Sequence, residues 1–177
     1  LAELNDLKYC LKRILNYNGV GDLNLDHCTL LKSLPAGLKV DGTLSLNLCT
    51  GLKSLPADLT VIGELELGGC TALTSIPAGL KVKNLSLIGC TSLESLPAGL
   101  TVGATLTVSG CILLKSLPAD LTVGGNLALG GCTGLESLPA DLEVEGHLNL
   151  SDCIIIRSLP AGLKVSDSLF LTYCINL

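Results

Sequence analysis

The sequence predicts an all-β repeat fold, a solenoid built from tandem units of about 21 residues. Seven prolines recur from Pro35 to Pro160 at steps of 20 or 21 residues, and eight cysteines recur from Cys28 to Cys174 with the same spacing. Aromatic residues make up 2% of the chain although 48% of it is hydrophobic, so the core must be narrow and aliphatic. Self-similarity at a fixed period is typical of stacked supersecondary units.

Each unit contains a short strand. Leu127 and Leu129 alternate with Asn126 and Ala128, and a period of two indicates a strand with one buried face. One unit cannot bury its apolar stripe alone. We therefore expect each strand to stack on its equivalents about 4.8 Å away as a parallel sheet.

A second extended segment precedes this strand, as Leu121-Thr-Val123 indicates. Pro118 lies just before it and can neither donate to a ladder nor continue a helix. Each turn is thus predicted to run strand, corner, extended segment, corner. Seven apolar positions per unit face the core, and each large side chain contributes roughly 1.5 to 3 kcal/mol before chain entropy is subtracted.

One unit, Ser75 to Glu94, is a residue short between Val82 and Leu85. The missing residue falls at a turn, where most other units have Gly or Asp. Because turns tolerate changes in length, we expect the solenoid to absorb the deletion locally.

Residues 1–19 do not follow the repeat, which occupies residues 20–177. Apolar side chains in this segment recur at helical spacing and predict an amphipathic helix from about Ala2 to Asn16. The residues assigned to its apolar face are Leu4, Leu7, Leu11 and Ile14 or Leu15. Its expected role is to cap one open end of the solenoid, with a partner-binding helix as the alternative.

The strand motif LxLxxCxxL, as in Leu65 to Leu73, resembles that of leucine-rich repeats, with Cys where Asn is more usual. The resemblance covers roughly Gly21 to Leu177. The phrase GCTxLxSLP is similar to repeats of plant immune receptors, and LPAxL to the bacterial class found in secreted effectors. The resemblance implies a right-handed, curved solenoid whose parallel strands form a ligand-facing sheet. The chain departs from the bacterial class by an extra residue and by LxVxGxLxL in place of LxxLxV.

Charge argues against two classes of partner. The formal net charge is −5 and the pI is near 4.9, whereas nucleic acids and anionic membranes attract concentrated Lys and Arg. No apolar run of about 18 residues predicts a membrane span. Because the sequence begins at Leu1, contains no methionine and shows no signal-peptide pattern, we expect a processed product or an excised fragment.

Eight cysteines occupy one repeat position, and we expect them to be buried, reduced and used for packing. Structural zinc needs four ligands around a tetrahedron, usually from CxxC pairs, and the sequence has none. A stack of disulfides is disfavoured because thiols that point the same way are badly oriented for bonding. Cys10 lies outside this column and is assigned to the cap's apolar face. No metal and no cofactor are predicted.

No catalytic constellation is found, so the chain is predicted not to be an enzyme. Glu64 and Glu66 share one face with Cα atoms roughly 6.5 to 7 Å apart, a spacing that inverting glycosidases use. No Arg, Trp or Tyr is available beside them to orient a sugar. His27 and His147 are on the order of 27 Å apart, too far to share a metal or a proton relay.

Two outward columns are candidate binding surfaces. A protein partner is predicted to contact the strand column, with no nucleic acid and no membrane involved; its candidate residues are Asn24, Ser45, Glu66, Ser86, Thr107, Asn149, Phe170 and Tyr173. The Thr residues of the opposite column are interrupted by Lys and Glu, which argues against the regular Thr array of an ice-binding face. It consists of Lys39, Thr60, Lys81, Thr101, Thr122, Glu143 and Lys164.

The predicted function is a non-catalytic protein-interaction module. The alternative is a structural spacer or scaffold, natural or engineered, that self-associates as a homo-oligomer through its C-terminal end. Phe170 and Tyr173 bear on both, because half of the chain's four aromatic residues lie in the last unit. They are either an interface hot spot or residues that another chain covers, and we favour the second.

Overall fold

A computed structural model describes residues 2–177, with side chains from Asp6 onward. In this described part of the chain, one helix, α1 (Ala2–Asn16), precedes fifteen strands of two or three residues. The strands are β1 (Leu23–Asn24), β2 (Lys39–Val40), β3 (Leu44–Ser45), β4 (Thr60–Val61), β5 (Glu64–Glu66), β6 (Lys81–Val82), β7 (Asn84–Ser86), β8 (Thr101–Val102), β9 (Leu106–Thr107), β10 (Thr122–Val123), β11 (Leu127–Ala128), β12 (Glu143–Val144), β13 (Leu148–Asn149), β14 (Lys164–Val165) and β15 (Leu169–Phe170).

The odd-numbered strands form one parallel sheet of eight strands, in the order of the chain. The even-numbered strands lie on the opposite side in three smaller sheets, β2-β4, β6-β8-β10 and β12-β14. Each turn except the last thus contributes one strand to each side, and the predicted parallel β-solenoid is confirmed. Its core lies between the two sides. Among the described residues, no helix is long and apolar enough to cross a membrane.

The core is aliphatic along its whole length, as the composition predicted. All seven core positions of a representative central unit are buried, and they are Leu127, Leu129, Cys132, Leu135, Leu138, Leu142 and Val144. Stacked leucines from successive turns pair in register across the large sheet, as Leu106 does with Leu85 and Leu127. Between its two ends, the column therefore buries each leucine between two equivalents.

The shortened unit keeps the large sheet in register, whereas the ladder on the opposite side is interrupted between β4 and β6. Val82 pairs with Val102 on one side of the solenoid, and Glu64 pairs with Asn84 on the other. Between them, the Lys83 amide donates to the Gly63 carbonyl at 3.0 Å. The large sheet therefore continues through the deletion, and the interruption is confined to the opposite side of the solenoid.

A disulfide joins Cys10 of α1 to Cys28, the first cysteine of the repeat column. The prediction that all the column cysteines are reduced is therefore wrong for Cys28, and Cys10 is more than a packing residue of the cap. The other seven cysteines are free. Neighbouring thiols within the column point the same way, which disfavours disulfides between them. Cys10 instead approaches from the helix, which lies across the end of the column.

The disulfide also fixes which face of α1 covers the solenoid. Cys10, Ile14 and Tyr17 pack against the core, whereas Leu11 is 44% exposed and Leu15 is 82% exposed. The assignment of Leu11 to the buried face was wrong, and Ile14 rather than Leu15 is the inward residue. Successive residues of a helix are about 100° apart, so anchoring Cys10 inward turns both leucines outward. Leu7 is half-buried and Leu4 lies outside the described side chains.

The residue before each column cysteine has a left-handed backbone conformation. Four of these eight residues are glycine and four carry side chains, with φ between 59° and 75°; the positions are His27, Leu48, Gly69, Gly89, Gly110, Gly131, Asp152 and Tyr173. The tight corner after each strand of the large sheet imposes this conformation. Non-glycine residues adopt it at a cost of roughly 1 to 2 kcal/mol.

We expect Gly89→Ala to lower the free energy of unfolding by about 1 kcal/mol. A Cβ at Gly89 has no neighbour within 4 Å, so the cost comes from the left-handed φ of 68° and not from a clash. Gly103→Ala is the matched control, because Gly103 lies outside the left-handed region and its Cβ would make ordinary contacts at 3.8 Å. The control should be neutral or slightly stabilising. Equal effects in urea denaturation would contradict the expectation.

Candidate functional site: the strand face

The candidate site is the outward side of the eight-stranded sheet, which we call the strand face. The register places one predicted contact residue on nearly every strand of a continuous row, which runs Asn24, Ser45, Glu66, Ser86, Thr107, Ala128, Asn149 and Phe170. Tyr173 follows the last strand at a left-handed corner and is 70% exposed. The structure thus brings the predicted residues together on one surface.

The first three strands carry an acidic cluster around Ser45. The Ser45 hydroxyl lies 2.6 Å from a carboxylate oxygen of Asp26 and 2.8 Å from one of Glu66. Asn47 donates its backbone amide to Asp26 at 2.8 Å and its side-chain amide to Glu66 at 2.9 Å. Ser45 itself is only 7% exposed. The carboxylates, and not the predicted Ser45, are therefore the groups that this end offers to a partner.

The two glutamates considered for catalysis have separate structural partners. Asn84 donates to Glu64 at 2.9 Å, whereas Glu66 accepts from Ser45 and Asn47. The acidic end borders a shallow depression of about 290 Å³ lined by Asp22, Asn24, Asp26, Thr43, Ser45 and Glu66. Every ionisable group of this lining is a carboxylate, so the depression suits a cationic group.

The last two strands carry an aromatic cluster. The rings of His147 and Phe170 meet edge to face with centroids 5.9 Å apart. The Ser168 amide donates to His147 Nδ1 at 3.2 Å, and His147 Nε2 lies 3.7 Å from an Asp167 carboxylate oxygen. Sequence reasoning treated His147 as an isolated surface residue. His147 directly precedes β13, which pairs with the strand that carries Phe170. This position in the repeat could have predicted the contact between the two rings.

The free column cysteines form a ladder of hydrogen bonds behind the strand face. Each thiol donates to a carbonyl of the preceding turn, as Cys111 does to Leu87 at 3.1 Å. The same carbonyl accepts the backbone amide of Cys90 in its own turn. The thiols are thus tied into the backbone of the solenoid, a feature that the repeat pattern does not display.

Burial makes four of these seven thiols weaker acids than an ordinary cysteine. It raises the pKa of Cys49 and Cys132 from an ordinary value of 9.0 to about 12, and that of Cys70 and Cys153 to about 11. A thiolate is the reactive form of cysteine. These four residues therefore support a structural role and not nucleophilic chemistry.

The opposite side of the solenoid is less continuous. Its strands fall into three separate sheets, and its outward column mixes Thr, Lys and Glu. Lys164 and Glu143 of this column form an exposed ion pair between neighbouring turns. The Thr residues of this column are therefore interrupted by charged residues and lie on three separate sheets.

Comparison with known proteins identifies no match for this chain. No protein-family model, no curated protein and no known structure is significantly similar to it.

Proposed function

We propose that this chain is a leucine-rich-repeat protein-interaction module without catalytic activity, and that a protein partner contacts the strand face. The observation that carries the proposal is the unbroken row of outward side chains across eight paired strands. A partner can contact such a row over all eight turns. The opposite side offers only two or three adjacent strands before its ladder is interrupted.

The chemistry of the strand face supports a partner with two kinds of contact residue. Carboxylates of Asp26 and Glu66 favour basic side chains near the first strands. Phe170 and Tyr173 offer exposed aromatic area at the other end, where hot-spot contacts are commonly made by such residues. Small side chains, among them Ala128, leave the middle of the face accessible.

A structural scaffold is the second candidate, and the last turn favours it. Leu169 and Leu177 occupy core positions of the repeat but are 37% and 42% exposed, and Ile175 is 73% exposed. Under this alternative the chain self-associates through these residues, and a polar capping unit added after Leu177 abolishes the association. Sedimentation of the chain with and without that unit distinguishes the two candidates.

We expect arginine at Ser86, Thr107 and Asn149 together to reduce partner binding at least tenfold. These residues span the central and later part of the row, and three bulky cations there obstruct the face. The measurement is a quantitative pull-down from a lysate of the source organism, comparing wild type with the triple variant. Glu66 is spared because its hydrogen bonds to Ser45 and Asn47 stabilise the surface.

The matched control carries arginine at Thr60, Thr101 and Thr122 on the opposite side. It adds the same three positive charges, so a general effect of charge appears in both variants. Proteins retained by wild type and the control but lost from the strand-face variant support the proposal. If the control loses the same proteins, or the strand-face variant loses none, the proposed surface is wrong. Circular dichroism confirms that each variant is folded.

A further inference from the structure

We propose that Asp6, Cys10 and Cys28 form a binding site for a thiophilic divalent cation such as Zn²⁺ when the Cys10–Cys28 disulfide is reduced. One carboxylate oxygen and the two sulfur atoms already lie within 4.8 Å of one another. The site joins the capping helix to the first turn of the solenoid, and it is distinct from the strand face.

The donor set suits zinc-class ions. Two thiolates and a carboxylate are accepted ligands, with Zn–S near 2.3 Å and Zn–O near 2.0 to 2.2 Å, so ligand atoms around such an ion lie about 3 to 4 Å apart. Once the S–S bond is broken, small side-chain rotations bring the three atoms to this separation. Asp6 is only half-buried, which leaves the fourth coordination position open to water.

Neighbouring groups hold the carboxylate in place. Asp6 and Cys10 are four residues apart and so share one face of α1, with Asp6 Oδ1 3.7 Å from Cys10 Sγ. The Thr29 hydroxyl donates to Asp6 Oδ2 at 3.3 Å. Such a contact orients a ligand from outside the coordination sphere and typically changes metal affinity 10- to 100-fold. The sulfur atoms belong to residues that are 0% and 1% exposed.

Cys28 differs from the rest of its column in a way that frees it for this role. Each later cysteine donates its thiol to a carbonyl of the preceding turn, as Cys49 does to Leu25. Cys28 lies in the first turn, and Cys10 takes the place of that carbonyl partner. No metal was predicted because the sequence has no CxxC pair, but Cys10 and Cys28 supply two sulfur atoms from different elements, the helix and the first turn.

The redox step is an ordinary thiol–disulfide exchange. A dithiol supplies two electrons and two protons, the Cys10–Cys28 bond breaks to give two thiols, and the dithiol becomes a cyclic disulfide. Binding of the cation then releases the two thiol protons to solvent. The helix is linked to the first turn by the disulfide when oxidised and by the cation when reduced.

The test uses Co²⁺ as a spectroscopic substitute for Zn²⁺. The 177-residue chain is reduced with a dithiol in denaturant, refolded without oxygen and titrated after the dithiol is removed. We expect one equivalent of Co²⁺ to bind with thiolate-to-cobalt charge-transfer bands and d–d bands of a tetrahedral site. The oxidised chain is the internal control, because it has the same sequence with both sulfurs bonded, and it should show neither.

Two variants assign the ligands. Asp6→Asn keeps both cysteines and should bind Co²⁺ at least tenfold more weakly, whereas Cys10→Ser should lose the charge-transfer bands. Cys49→Ser should bind as wild type does, since Cys49 is not a ligand. The proposal is overturned if the folded, reduced wild type shows no thiolate–cobalt bands, if Cys10→Ser keeps them, or if Asp6→Asn binds unchanged. Circular dichroism of each reduced variant establishes that it is folded.

Discussion

Replacing Leu106 with alanine is expected to lower the free energy of unfolding by about 3 to 5 kcal/mol. Leu106 is fully buried at the centre of the large sheet and pairs with Leu85 and Leu127. Removing its side chain loses apolar burial and leaves a cavity between two turns that the paired strands prevent from closing. Urea denaturation followed by circular dichroism measures the effect.

Leu169→Ala is the matched control for this prediction. Leu169 occupies the same column as Leu106, but it has a strand neighbour on one side only and is 37% exposed. We expect it to cost less than about 1.5 kcal/mol, because a half-open site leaves no enclosed cavity. Similar losses for the two variants would contradict a stacked column that ends at β15.

The second large effect is a loss of stability at alkaline pH. Thiols of the unfolded chain ionise near 9.0, whereas burial raises the pKa of Cys49, Cys70, Cys132 and Cys153 to about 11 or 12 in the folded chain. Between these values the unfolded state binds fewer protons, so the free energy of unfolding falls as pH rises. Each buried thiol contributes at most roughly 1.4 kcal/mol per pH unit, and its contribution is intact below pH 9.

A variant with alanine at Cys132 and Cys153 tests the cause of this alkaline loss. Tyrosine and lysine also titrate at high pH, but they are the same in both proteins. The slope of unfolding free energy against pH above 9 should therefore be smaller for the variant by up to roughly 2.7 kcal/mol per pH unit. An unchanged slope would show that the buried thiols do not cause the loss.

The repeat period predicted most of the fold because a solenoid depends on local spacing. Once one turn has about 21 residues, stacking in register determines which residues pair, and Leu127 must face Leu106 and Leu148. The same logic located the short corner after Val82. Each of these inferences needs only the positions of equivalent residues along the chain.

Features outside the repeat could not be predicted in this way. Helical spacing alone allowed several rotations of α1, and the choice between Ile14 and Leu15, like the wrong placement of Leu11, depended on the Cys10–Cys28 bond. Cys10 has no equivalent in the repeat, whereas Cys28 has seven, so the repeat period gives no information about a bond between them. The left-handed corner could have been predicted from the sequence, because glycine occupies this position in four of the eight units.

The strand face was predicted as a surface, but not its chemistry. Alternation correctly places Glu66 and Thr107 outward, whereas it cannot reveal that neighbouring carboxylates cover Ser45. The contact between His147 and Phe170 likewise depends on side-chain rotamers across two turns. Which side chains a partner can reach is therefore a property of the packed surface and not of the repeat.

Counting thiols in the native and unfolded chain tests the central claim most directly, namely that each turn places one structural cysteine in the core behind the strand face. The reagent is iodoacetamide at about pH 8, and modification is detected by mass spectrometry. We expect the six buried free thiols to remain unmodified in the native chain. Cys174 is half-buried and should react slowly. Unfolding without a reductant should expose seven reactive thiols, and unfolding with one should expose nine. Rapid modification of the native chain beyond Cys174 would contradict the buried ladder, and nine thiols without a reductant would contradict the disulfide that secures its cap.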